Sequence, residues 1–204
     1  EQPGGEVTDH GEVLSVDEIP WAGRQLWAPD AAHANGKYYL YFPMKDKNDV
    51  FKIGVAVSEN PEGPFTPEPK PIAGSFSMDP AVYKDKDGAY YMYFGGIWGG
   101  QLQRWRNGEY DPDGEEPAAN QPALNPQIAK MNNDMLSFAE TPKDVQILDE
   151  NGEPILAGDN ERRFFEAAWV HKYNGTYYLS YSTGDTHKIV YATGDNPYGP
   201  FTYQ

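Results

Sequence analysis

The sequence predicts an all-β domain of short antiparallel sheets arranged radially, and three observations carry that prediction. One strand phrase occurs three times: Gly36-Lys37-Tyr38-Tyr39-Leu40-Tyr41-Phe42, Gly88-Ala89-Tyr90-Tyr91-Met92-Tyr93-Phe94 and Gly175-Thr176-Tyr177-Tyr178-Leu179-Ser180-Tyr181. Each copy follows a carboxylate, in turn Asp30, Asp79 and Glu166. The 204 residues include 15 tyrosines, 21 glycines and 18 prolines, a composition suited to short strands and tight turns. Internal repetition of one supersecondary unit marks a stacked or radial architecture, and four antiparallel strands per unit match the blade of a β-propeller.

Taken in order, the chain opens on Glu1-Gln2-Pro3-Gly4-Gly5, with no initiator methionine and no signal peptide, and this reads as a cut or a join. Val7-Thr8-Asp9-His10-Gly11-Glu12-Val13-Leu14 reads as the last strand of a preceding blade. A first blade spans residues 25–70. Its inner strand begins at Asp30, turns at Asn35-Gly36 and returns as the Tyr-rich strand. A third strand from Ile53 to Ser58 precedes the turn Asn60-Pro61-Glu62-Gly63-Pro64 and an outer strand. A second blade spans residues 75–150 and turns at Asp87-Gly88. Residues 107–130, rich in Pro, Asn and acids, read as a surface loop within it, and residues 132–148 would supply its outer strand. A third blade spans residues 164–204, with a turn at Asn174-Gly175 and an echo of the proline turn at Asn196-Pro197-Tyr198-Gly199-Pro200. The Tyr-rich strands are apolar on both faces, as a strand stacked between two sheets must be. Three blades and a remnant do not close a ring, so pieces are expected to be lacking at both ends.

Bulk properties bound the partners. A net charge of −15 argues against binding a nucleic-acid backbone or an anionic membrane. It fits a neutral or cationic ligand, and equally simple solubility. No segment approaches the length of an apolar membrane helix, so a soluble chain is expected. Without cysteine there is neither a disulfide nor a thiolate metal site. The expected location is extracellular or periplasmic in a bacterium, in preference to cytoplasmic.

Inner strands of a propeller line its central channel, so Asp30, Asp79 and Glu166 could meet there. Converging carboxylates are what glycoside hydrolysis needs. Position alone equally allows solvated turn acids, or caps on loop amides.

The words around the acids narrow the choice. Trp27-Ala28-Pro29-Asp30, Ser77-Met78-Asp79-Pro80-Ala81-Val82-Tyr83 and Phe165-Glu166-Ala167-Ala168-Trp169 resemble glycoside hydrolase family 43. That resemblance implies a five-bladed β-propeller and an inverting, three-carboxylate hydrolase of α-L-arabinofuranosyl or β-D-xylosyl linkages in plant cell-wall polysaccharide. It implies Glu166 as general acid and Asp79 as the residue that tunes its pKa. The general base would be an aspartate of the first blade in an Asp-Pro motif, and none occurs upstream of residue 21. The base is therefore expected to be missing, and the chain alone inactive. Asp30 belongs to a different element and does not fill that role; it is pocket-lining or structural. An inverting acid and base stand roughly 6.5–9.5 Å apart to admit a water. The related sucrose- and fructan-cleaving propellers place an arginine before the middle acid and a cysteine after the general acid. Met78 and Ala167 stand there instead.

A general acid needs a raised pKa. Phe164, Phe165 and Trp169 flank Glu166 and would desolvate it, and an ionised Asp79 would push the same way. Trp98, in Gly95-Gly96-Ile97-Trp98-Gly99-Gly100, either stacks on a sugar or packs. Arg104 either contacts a substrate hydroxyl or is an ordinary surface arginine, and Trp27 is expected to pack between blades. His10, His33, His171 and His187 lack metal-ligand spacing and read as structural or exposed. No cofactor is required. The resemblance implies a structural calcium in the complete domain, but gives it no ligand here. Asp111-Pro112-Asp113-Gly114-Glu115-Glu116 lacks the spacing of a helix-loop-helix calcium site and reads as a solvated loop. Asn174-Gly175-Thr176 fits a glycosylation acceptor, but a turn explains it as well. The partners expected are an oligosaccharide or polysaccharide and the remainder of the propeller. A non-catalytic carbohydrate-binding propeller is the alternative reading.

Overall fold

The computed structural model describes residues 5–184 and 187–204, which leaves the opening Glu1-Gln2-Pro3-Gly4 outside. The first sheet holds β1 (Ala22–Arg24), β2 (Asp30–Ala34), β3 (Lys37–Asp46), β4 (Phe51–Ser58) and β5 (Thr66–Pro67). The second holds β6 (Ala81–Lys84), β7 (Tyr90–Phe94), β8 (Gln127–Lys130) and β9 (Lys143–Asp144). The third holds β10 (Ile147–Leu148), β11 (Phe164–Tyr173), β12 (Thr176–Thr183), β13 (Ile189–Gly194) and β14 (Phe201–Tyr203). β2, β6 and β11 are the acid-bearing inner strands, and neighbours around the axis touch: β2 meets β6, and β6 meets β11. The fold is all-β, with the sheets disposed as propeller blades.

Local chemistry explains the hairpins. Asn35 and Gly36 both have positive φ (54° and 72°), as do Asn174 and Gly175 (48° and 91°). Two left-handed residues in succession make the turn whose twist matches the flanking strands. The Asp87-Gly88 turn differs, since only Gly88 has positive φ (86°). There Gly88 N–H donates to Asp85 O and Asp85 N–H to Ala89 O, giving a one-residue-longer loop. Asn174-Gly175-Thr176 is thus accounted for by its turn.

β7 is buried on both faces, because its sheet lies between the other two. Against the expectation for every Tyr-rich strand, β12 alternates buried and half-buried residues, and its sheet leaves Trp169, Tyr173, Ile189 and Tyr191 exposed. Tyr39, Tyr41, Ile53 and Val55 of the first sheet share a core with Met92, Phe94 and Met131 of the second. Tyr93 and Ile128 of the second share another with Leu179, Tyr181 and Phe201 of the third. Burying a tyrosine requires a partner for its hydroxyl. Tyr41 Oη donates to Met135 O (2.9 Å) and Tyr93 Oη to Pro197 O (2.7 Å), each reaching the next blade.

Three sequence expectations are corrected. Residues 107–130 are not loop throughout: Gln127–Lys130 is β8, paired with β7. Its Ile128 and Ala129 are fully buried between sheets, a drive that its polar neighbours in sequence conceal. The outer strand of the second sheet is only β9, whereas Ile147–Leu148 pairs in parallel with β14 of the third sheet. Val145 and Ile147 reach the core shared with Phe201, and burial there decides the pairing. Residues 7–14 form no strand. Val13 O accepts from Phe65 N–H, and Val13 and Leu14 cover the cluster of Ile19, Phe42 and Phe65, so apolar packing holds the segment without a ladder. Among the described residues no helix is long and apolar enough to cross a membrane.

Candidate active site

The site is assembled by left-handed residues that turn the acids off their strands. Asp79 has φ 53°, Ser77 φ 60° and Ala167 φ 59°. Residues with side chains rarely adopt this conformation, and such strain persists only where surroundings impose it. Around Ser77 they do: its hydroxyl donates to Gly100 O (2.7 Å) and accepts from Gly96 N–H (3.0 Å). Gly95 N–H donates to Met78 O at 2.7 Å. Gly96 is closely packed, because a Cβ there would lie 2.3 Å from Met78 Cε and 3.3 Å from Glu166 Cβ. A glycine ribbon therefore wraps the buried Met78 and presses Asp79 and Glu166 together.

Glu166 sits between two register breaks in the β11–β12 ladder. Such a bulge re-aims a side chain and frees a backbone amide from the ladder. The freed amide is that of Ala167, and it donates to Asp79 Oδ2 at 3.2 Å. The structure thus brings Asp79 and Glu166 to one place. Burial first, then the charge of Glu166, pushes the Asp79 carboxyl up to about 6, against the opposing Ala167 amide. Burial also raises Glu166, whose side chain is 28% exposed, and His187 pulls it back. Each carboxyl resists ionisation while the other is charged, so their protons come off as properties of the pair.

The desolvating shell is smaller than the sequence implied. Phe164 and Phe165 are buried, but Trp169 is 53% exposed and lies 5.4 Å from the His171 ring instead.

Asp30 Oδ2 accepts the Val82 amide at 2.6 Å, bridging the first inner strand to the second. Asp79 bridges the second to the third in the same manner. Burial raises Asp30, and the Val82 and Ala31 amides oppose that rise. Arg104 donates to Tyr110 Oη at 3.0 Å, within the base of its own loop. Trp27 packs on Phe51 at 4.8 Å and would touch a Cβ placed at Gly99, 3.4 Å away. Trp98 is 48% exposed, stands edge-on to Phe165 at 5.1 Å, and donates its indole N–H to Glu116.

Two participants were missed from the sequence. His187 packs edge-on to Phe165 at 4.7 Å and places Nδ1 3.7 Å from Glu166 Oε1. Glu116 is no solvated loop acid, because it also pairs with Arg163 at 2.6 Å. No sequence motif marks either, since both act across folded loops. Replacing His187 with asparagine removes the group that lowers the Glu166 pKa. The alkaline limb of the kcat/KM profile of the whole protein is expected to move to higher pH. A limb that stays in place would show that the imidazole does not act on Glu166.

Among the described residues, no group of three or more His, Cys, Asp or Glu could hold a metal ion. The calcium implied by the resemblance therefore has no ligand set in these residues and enters no step below. Asp111 instead serves its own turn, with Oδ1 accepting from Asp113 N–H at 3.0 Å.

Propeller blades whose inner strands bring two partly buried carboxyls together fit the class of propeller glycoside hydrolases. The chain belongs to glycosyl hydrolases family 43, whose model matches residues 7–204. It is 62% identical to a xylosidase/arabinosidase of Bacteroides ovatus over 98% of this chain and 62% of that protein. Its fold matches a β-xylosidase/α-arabinofuranosidase from a compost metagenome, crystallised with xylotriose in a calcium-free form, at TM-score 0.96 and 70% identity, over 98% of this chain and 62% of that one. It matches a Xanthomonas citri enzyme complexed with xylotriose at TM-score 0.97 and 59% identity, over 99% of this chain and 61% of that one. The chain thus spans about three-fifths of the length of these relatives.

Proposed function

We propose that this protein is an inverting glycoside hydrolase of β-D-xylosyl or α-L-arabinofuranosyl linkages in plant cell-wall polysaccharide. The observation that carries the reading is the Asp79–Glu166 pair, two acids brought together through the Ala167 amide, with the Asp79 carboxyl pushed up to about 6 and the Glu166 carboxyl raised by burial. A carboxyl whose pKa is raised by burial holds its proton to higher pH and can pass it to a leaving glycosidic oxygen. Glu166, the more open of the two to an incoming ligand, takes that role, and Asp79 orients and tunes it. Asp30 is committed to the Val82 amide and serves as an inter-blade tie. Water activation falls to a third carboxylate, which this reading assigns to no residue of the chain. Relatives named as xylosidases and arabinosidases support the sugar class, and xylotriose bound to two solved relatives supports an oligosaccharide ligand.

The test is proton NMR of the whole protein acting on xylooligosaccharides and arabinoxylan. Release of xylose or arabinose is expected, with the inverted anomer appearing first. A first-formed anomer of unchanged configuration would overturn the inverting mechanism. Binding without any release would favour a carbohydrate-binding propeller.

A further inference from the structure

We propose that Glu116 is a positioning residue that fixes the Trp98 indole as a stacking face for a sugar ring beside Glu166, an inference that rests on the carbohydrate reading above. Trp98 occupies the left-handed region (φ 53°) although it carries a large side chain. Its backbone is clamped on both sides by one amide: Trp98 N–H donates to Gln103 Oε1 (2.9 Å), and Gln103 Nε2 donates to Trp98 O (3.3 Å). The indole edge is fixed by Phe165, immediately before Glu166, and by the N–H donated to Glu116. All this restraint acts on a ring that remains about half exposed. Core packing gains little from an exposed ring, whereas sugar recognition needs a rigid aromatic face.

Glu116 reaches the ring from the long insertion between β7 and β8, and that insertion is built to deliver it. Asp111 N–H donates to Arg104 O (2.8 Å) and Gly114 N–H to Asp111 O (3.1 Å). Arg106 Nη1 donates to Glu115 O at 3.0 Å. Gly114 leaves no room for a Cβ, which would lie 2.8 Å from Arg104 Cα. The second Glu116 oxygen accepts from Arg163 Nη1 at 2.6 Å, and Arg163 Nε holds Asn160 Oδ1 at 2.8 Å. Arg163 is buried and lies three residues before Glu166 in sequence. One carboxylate therefore couples the loop, the aromatic wall and the root of the acid-bearing strand.

The experiment is a double-mutant cycle on the dissociation constant of xylotriose, read by titration calorimetry on the whole protein. Trp98→Ala and Glu116→Ala are each expected to weaken binding roughly 3- to 10-fold. In the double variant the two losses are expected not to multiply, because Glu116 acts through the ring. Glu116→Gln keeps an acceptor for the indole N–H and is expected to restore most of the affinity. Full multiplication of the two losses would overturn the proposal, as would unchanged binding by Glu116→Ala. Both results leave the hydrolase reading intact. Non-multiplying losses in a protein that releases no sugar would sink the hydrolase reading and sustain this one. No binding of xylotriose by the unaltered protein overturns this proposal outright.

Discussion

Glu166→Gln is expected to lower kcat on xylooligosaccharides by roughly 10²–10⁴-fold, the contribution of a positioned general acid. Aryl glycosides with acidic leaving groups should lose far less, because their leaving oxygen departs without a proton. Glutamine preserves size and the bulge geometry, so the contrast between substrates isolates proton donation from positioning. The alkaline limb of the pH profile should disappear in the same variant, since it reports deprotonation of the acid. The measurement is steady-state kinetics of the whole protein on both substrate types. Equal losses on both would remove Glu166 from the proton-donating role.

Asp79→Asn is expected to impair activity and raise stability together. The Asp79 carboxyl is pushed from 3.8 to about 6 in the fold. Below about pH 4 both folded and unfolded chains hold its proton, and its ionisation is silent. Between about pH 4 and pH 6 the unfolded chain has released the proton while the folded chain retains it, so stability falls as pH rises. Above about pH 6 the full penalty stands, roughly 2–3 kcal/mol for a shift of this size. Asparagine carries no charge and still offers an oxygen to the Ala167 amide. The variant should therefore exceed the parent by about that amount at pH 7.5 and by little at pH 4. Urea denaturation at both pH values checks this, and titrating groups that do not interact with Asp79 cancel in the difference. A stability difference that does not change with pH would show that burial and Glu166 do not hold the Asp79 proton. The same charge that weakens the fold is the one asked to tune Glu166, which is the usual trade between stability and a working site.

The hairpins were legible residue by residue. Asn35-Gly36 and Asn174-Gly175 state their turn in two letters, because positive φ at successive positions is a local steric matter. The acids at the strand entrances were legible for a related reason, since a repeated strand places equivalent positions equivalently. β8 and β10 were misread, because Gln-Ile-Ala-Lys and Ile-Leu are too short to carry a period. Their burial against Phe94, Tyr93 and Phe201 came from chain far away in sequence.

By itself, then, the sequence determined the blade unit, its turns, the family and the two acids at 79 and 166, because each is written in a few adjacent residues. Only the tertiary structure decided that Asp79 accepts the Ala167 amide, that His187 stands over Glu166, and that Glu116 joins Trp98 to Arg163. Those contacts join different blades or loops, and their energies arise only once packing has removed water and brought the charges together. A raised carboxyl pKa is a property of that enclosure, and no residue carries it in its own name.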